Sequence, residues 1–257
     1  MITERILPGP AEALAALLGV GVPEDGVLPL LWHWVYLLDR PAQADLGPDG
    51  HPVRDGTPPG RRMWAGGRVR TTGELRWGAD ATRHSEVVAT REKQGRSGPL
   101  TFVTVARRIH QAGRLVVDEE QDLVYRGAGT GEAHSAGGPE VLPAAGEWSL
   151  DVTPTLLFRF SALTYNAHRI HYDRDYCRDV EGYPGLLTHG PLQAVAMAEA
   201  ARARGVTGPL SFEYRLVAPL FDFQGLIASA RPGADATTTA VRDRSGRRTA
   251  TGTLRPR

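Results

Sequence analysis

Apolar and polar residues alternate through four stretches of the first half, 67–77, 84–94, 100–110 and 114–126, separated by glycine-containing breaks such as QGRSGP and QAG. Alternation in segments rich in Val, Thr, Ile and Phe, bounded by turn residues, is the pattern of half-buried strands, so an antiparallel meander is predicted there. The second half repeats the theme. Strands are predicted at 147–153, 156–160, 209–221 and 223–233, and at 236–243 and 247–254 about a hairpin-like RSG turn.

One segment breaks the period of two. In GPLQAVAMAEAARAR, 190–204, Leu192, Val195, Ala196 and Ala200 fall near helical spacing, Pro191 sits where a first turn tolerates a missing N–H, and arginines favour the C-terminal end. Gly205 is the predicted stop. Its many alanines let this helix approach a curved sheet closely, and an α+β class follows.

The stretch 127–146, GAGTGEAHSAGGPEVLPAAG, is poor in large apolar residues and reads as a connector. The chain accordingly divides into an N-terminal unit, 1–130, a linker, 131–146, and a C-terminal unit, 147–257. A second loose stretch, 44–62, carries several turn signals and reads as a long surface loop. The aromatic run LWHWVYLL either lines a pocket or packs in the core; the alternation of Trp32, Trp34 and Tyr36 favours core.

Composition narrows the function classes. The 257 residues are 41% hydrophobic, enough for a substantial core, and 30 basic against 29 acidic residues leave a net charge of +1. No overall field draws the chain to nucleic acid or anionic lipid, so an anionic ligand must be caught locally. The apolar run VLPLLWHWVYLLD carries His33 and is far shorter than the roughly 20 residues of a membrane span. Cys177 is the only cysteine, and MITERILPGP lacks the apolar core of a secretory signal, so the expected compartment is the cytoplasm.

Titratable chemistry is concentrated in TYNAHRIHYDRDYC, 164–177. Histidine supplies a base near neutrality with little adjustment, which makes His168 and His171 the candidates. Spacing leaves open which of Asn166 and His168 turns toward His171; Arg169 and Asp173 form an i,i+4 pair if the segment is helical. The following DRDYCRDVEG reads as a solvated loop. Just beyond, THGPL offers the free N–H groups of a helix start, with His189 before Gly190, a residue without a side chain to obstruct a carbonyl. A base beside such a donor suits enolate-forming acyl thioester chemistry. His168, His171 and His189 come without paired cysteines or a supporting pattern of neighbours, so neither a metal nor a cofactor is expected.

The run FSALTYNAHRIHYDRDYCRDVEGYPGLLTHGPLQA resembles the MaoC-like hotdog hydratases and dehydratases, in the branch of mesaconyl-C4-CoA hydratase and the mitochondrial-type 3-hydroxyacyl-thioester dehydratase. The N-terminal half resembles that branch loosely, through PLLWHWVYLLD and the loop after it. The resemblance implies a double hotdog, with a helix against a curved antiparallel sheet in each unit and one composite site. It implies reversible syn addition of water to 2-enoyl thioesters of coenzyme A or acyl-carrier protein. It puts His171 at the catalytic histidine, Gly190 at the glycine whose N–H polarises the thioester carbonyl, and Asn166 where the broader pattern has aspartate. His168 and His189 are possible assistants.

Arg159, Arg169 and Arg174 are candidate substrate contacts, for coenzyme A phosphates or, with Arg159 or Arg169, for a free carboxylate. Thioester hydrolysis is the alternative; it would need a carboxylate near the helix start, where the helix has only Glu199. A non-catalytic thioester-binding subunit is the other. Hotdog sheets pair edge to edge, which makes a homodimer possible.

Overall fold

The computed structural model describes residues 1–53, 56–95, 98–127 and 138–257. The strands are β1 (Ile2–Arg5), β2 (Arg61–Thr71), β3 (Asp80–Gly95), β4 (Gly98–Gln111), β5 (Arg114–Arg126), β6 (Trp148–Leu150), β7 (Leu210–Leu216), β8 (Leu226–Pro232), β9 (Thr237–Arg242) and β10 (Arg248–Pro256). They form one antiparallel sheet in the order β1-β3-β4-β5-β2-β7-β10-β9-β8-β6. Counted within its own half, each set of five has the same order, first-third-fourth-fifth-second, and the two meet where β2 pairs with β7. The chain is thus a double hotdog, as expected. The expected linker, 131–146, lies partly outside the described residues; its described part, 138–146, holds no helix or strand.

In the C-terminal half, helix α4 (Gly190–Arg202) lies against β8, β9 and β10, with every residue from Leu192 to Ala201 buried. Its alanines allow that depth: a helix buried on all sides must present small residues wherever strands crowd it. Among the described residues the N-terminal half has no helix of this kind. Helix α1 (Pro8–Leu18) packs on helix α2 (Pro154–Leu163) instead, and the span 27–39 forms a single 3-10 turn, Trp32–Val35, flanked by Leu31 and Leu37 at positive φ. Trp32 and Tyr36 are core residues, whereas Trp34 also borders the cleft.

Three expectations are corrected. Residues 156–160 are helical, within α2, because Thr153 caps the helix by accepting the Leu156 N–H at 3.1 Å and Pro154 fits its first turn. Leu157, Phe160 and Ser161 then share one buried face, so the capping signal outweighs the β-propensity of the phenylalanines. The charged stretch 174–179 is a short helix, α3 (Arg174–Asp179), capped by Asp173. The loop 44–62 is not a free surface loop. Its tip presses onto the segment before His171: the Arg169 N–H donates to the Asp49 carbonyl at 2.8 Å, and the Arg169 guanidinium donates to the Pro48 carbonyl at 3.1 Å.

Candidate active site

A cleft of about 1310 Å³ runs between the two halves, lined from the C-terminal half by Asn166, His168, His171 and Gly190 and from the N-terminal half by residues including Trp34, His51 and Trp64. His171 ends a 3-10 turn, Arg169–His171, that α2 and α3 hold from either side. Its Nδ1 lies 2.7 Å from the Leu187 carbonyl oxygen. A carbonyl only accepts, so Nδ1 carries the proton and Nε2 is left with a lone pair. Burial is the main influence on this ring and pushes its pKa down to about 3, so the imidazole is neutral.

His189 lies behind His171, fully buried and stacked on it, with ring centroids 3.6 Å apart and planes 18° apart. Its Nε2 is 2.8 Å from Ser161 Oγ, its Nδ1 is without a partner, and burial and the neighbouring His171 hold it well below the usual imidazole range. It borders no part of the cleft.

Asn166 lines the cleft, but its Oδ1 is occupied, accepting the His168 N–H at 3.0 Å. Among the described residues its amide nitrogen has no protein partner, which leaves two N–H donors for a ligand or water. Gly190 opens α4 next to His189, and its backbone N–H has no acceptor among the described residues. A Cβ there would run into Leu216 Cδ1 and come within 3.3 Å of Trp64 Cβ, so the close approach to the cleft depends on glycine.

The residues that sequence reasoning missed come from the N-terminal half. Asp49 and His51 sit on the loop tip, with His51 Nδ1 3.2 Å from Asp49 Oδ2 and the His51 ring 3.9 Å from that of His168. The His168 ring is in turn 5.4 Å from His171 and edge-on to it. Burial, with the positive charge of Arg62 and the cost of crowding a second cation beside His51 or His171, holds His168 below the usual imidazole range. Gly50 makes the contact possible: it has φ +88°, and a Cβ would overlap the Ala167 carbonyl oxygen. The GPDGHP turn was legible as a turn, but nothing local says what it packs against. Asp49, His51 and His168 each offer one ligand atom, all within 4.8 Å of one another. That corner, rather than the trio His168, His171 and His189, is where a first-row transition metal would find donors among the described residues.

None of the three arginines proposed as substrate contacts lines the cleft. Arg169 is committed to Asp173, at 2.7 and 3.0 Å, and lies over the Tyr176 ring; Arg174 pairs with Asp222 at 2.5 Å; Arg159 is exposed on α2. Glu199 is likewise taken, accepting from Trp32 Nε1 at 2.8 Å and from Arg202 at 2.7 and 2.9 Å, away from the cleft.

The profile of hydroxyacyl-thioester dehydratase type 2 matches residues 31–222. A mesaconyl-C(4)-CoA hydratase from Chloroflexus aurantiacus is 46% identical over 237 residues, 88% of this chain and 84% of the relative. Among solved structures, a MaoC-like dehydratase from Phytophthora capsici aligns with a TM-score of 0.74 at 15% identity, over 100% of this chain and 94% of that one. A Mycobacterium tuberculosis protein described as a double hotdog aligns with a TM-score of 0.57 at 16% identity, over 98% and 92%. With three quarters of its length matched by one profile and a close relative aligned nearly end to end, the chain belongs to the hydroxyacyl-thioester dehydratase type 2 family of hydro-lyases.

Proposed function

We propose that the chain adds water reversibly to the double bond of 2-enoyl thioesters, with His171 as the acid–base group and the Gly190 N–H as the donor to the thioester oxygen. The observation that carries this reading is the Nδ1–H bond from His171 to Leu187 at 2.7 Å, which leaves Nε2 as a base in the cleft that Gly190 also lines. In hydration, Nε2 takes a proton from water as the water oxygen bonds to Cβ. The π electrons move through Cα to the thioester oxygen, where the α4 start stabilises the enolate. The same nitrogen returns the proton to Cα on the same face, and dehydration reverses each step. Asn166 holds the water through its amide nitrogen, since an amide cannot take its proton.

Burial opposes an imidazolium at His171, but the cation forms only while the enolate is present, so the charges appear as a pair. The committed state of Glu199 weighs against hydrolysis. The 46% identity to the Chloroflexus hydratase makes mesaconyl-C4-CoA a substrate to try beside crotonyl-CoA and longer 2-enoyl-CoA thioesters. No helix among the described residues is long and apolar enough to cross a membrane. We assign the chain to the cytoplasm, a compartment in which its one thiol, Cys177, stays reduced. A division at the linker, into units 1–130 and 147–257, is supported by each set of five strands closing without exchange.

The test is the loss of enoyl-thioester absorbance on that panel, with His171→Ala as control. His171-dependent loss on one member is expected. Undiminished turnover in His171→Ala overturns the assignment, and binding without turnover on every member points to a non-catalytic subunit.

A further inference from the structure

In a sheet that wraps a helix, the concave face is apolar. The concave face of the N-terminal half is not. Strand register puts Arg107 opposite Glu119 and Val105 opposite Gln121, while Arg83 stands beside Ile109, which pairs with Val117. Arg83, Arg107 and Gln121 therefore share the inner face with apolar neighbours, and all three line the cleft that holds His171 and Gly190. The space exists because the 3-10 turn at Trp32–Val35 stands where a longer helix would have filled it.

The hydrogen-bonding groups at this end are unequally matched. Asp39 bridges the two arginines, 2.8 Å from Arg83 Nη2 and 3.8 Å from Arg107 Nη2. Glu119 is saturated by other donors: Trp34 Nε1 at 2.8 Å, Gln121 Nε2 at 2.7 Å and the His33 ring at 3.2 Å. Arg62 lines the same cleft and adds positive potential at Arg107. The Nε atoms of Arg83 and Arg107 are both buried and without a hydrogen-bond partner, and Arg83 is only 5% exposed. Arg83 and Arg107 share the half-exposed Asp39 carboxylate, and their buried N–H groups left without an acceptor carry an uncompensated desolvation cost. A second carboxylate offsets it, and guanidinium geometry suits a planar two-oxygen anion.

Resting on the hydro-lyase reading above, the geometry points to Arg83 and Arg107 as a carboxylate subsite for the far end of the acyl group, so that the preferred substrates are thioesters of short dicarboxylic acids. The enclosed position separates it from the phosphates of the thioester's handle, which need the open mouth of the cleft.

Binding tests this without turnover. Titration of the full chain with succinyl-CoA and butyryl-CoA, saturated thioesters of four carbons that differ in the terminal carboxylate, should show succinyl-CoA tighter by about 10- to 100-fold. Arg83→Met and Arg107→Met should abolish the difference, and Arg107→Lys should keep part of it. Asp39→Asn, which removes the competing carboxylate and leaves both arginines, should widen it and remains informative if the methionine variants fold poorly. Equal affinities in the wild type, or a preference that survives both methionine variants, overturns the subsite. Because neither thioester has a double bond to hydrate, this result stands apart from the His171→Ala test of the reaction.

Discussion

His171 and His189 are stacked face to face, with centroids 3.6 Å apart, yet only His171 reaches the cleft. The two rings are held from opposite ends, His171 by the Leu187 carbonyl and His189 by Ser161 Oγ. His171→Asn is expected to lower kcat by about 10²- to 10⁴-fold, the range for loss of a general acid–base, with a melting temperature near wild type. Ser161→Ala removes the hydrogen bond that holds His189 and is expected to cost about tenfold in kcat with KM little changed, which is one hydrogen bond's worth of positioning. Steady-state kinetics beside thermal melts check both, and a KM-only effect of Ser161→Ala would place Ser161 in substrate binding instead.

Three buried histidines make stability depend on acid. His168, His171 and His189 are held by burial below the imidazole reference of 6.5, His171 to about 3. Below that reference the unfolded chain takes up protons that the folded chain refuses. Stability is therefore complete above about pH 6.5 and falls as the pH drops toward the folded values, by about 1.4 kcal/mol per pH unit for each ring. Urea midpoints at pH 7.5 and 5.5 should differ strongly, and His189→Gln should flatten the slope. Over the range where the protein stays folded, kcat/KM for hydration should show no limb near 6.5, because His171 is already in its base form.

Gly190→Ala is expected to reduce kcat by more than it destabilises the fold. The added methyl meets Leu216 Cδ1, a side-chain tip that can yield, and Trp64 Cβ at 3.3 Å, which cannot move without its strand. Overpacking of this kind costs about 1–3 kcal/mol. The shift of the α4 start moves the N–H away from the enolate oxygen, so kcat and stability measured together separate the two effects.

Gly50→Ala tests the loop. With φ +88° and the Ala167 carbonyl against it, a side chain at residue 50 forces the tip off the 166–169 segment, taking Asp49 and His51 away from His168. A destabilisation of about 1–3 kcal/mol is expected, with unchanged far-UV circular dichroism and a clear loss of activity. Full activity in a folded Gly50→Ala protein would show that the N-terminal loop adds nothing to the reaction.

Much of the C-terminal half of the site is local, and local order is legible. Asn166, His168 and His171 lie within one turn-rich window, and the Gly-Pro helix start announces itself by its first residues. Most of the alternating strands were equally plain, since alternation against a buried face is the same physical fact as the strand; but β2 begins at Arg61, inside the expected loop, and ends at Thr71 rather than at 77, and the four-residue β1 was too short to show a period. The failures are of another kind. Residues 156–160 read as a strand until Thr153 and Pro154 are weighed as a cap, and α1 passes unnoticed in an alanine-rich stretch with little contrast between faces.

The sequence by itself determined most of the two sets of strands, the helix that starts at Gly190 and the chemistry of the His171 window, because each depends on residues a few positions apart. Only the tertiary structure decided which polar residues of the N-terminal half enter the site. Asp49 and His51 reach His168 across more than a hundred positions, and the alternation that marks Arg83 and Arg107 as strand residues does not say which side of the sheet is covered. That side was fixed by what packs on it: where the N-terminal half carries only a 3-10 turn, its concave face stays open, and charged residues that a packed helix would exclude line a cleft.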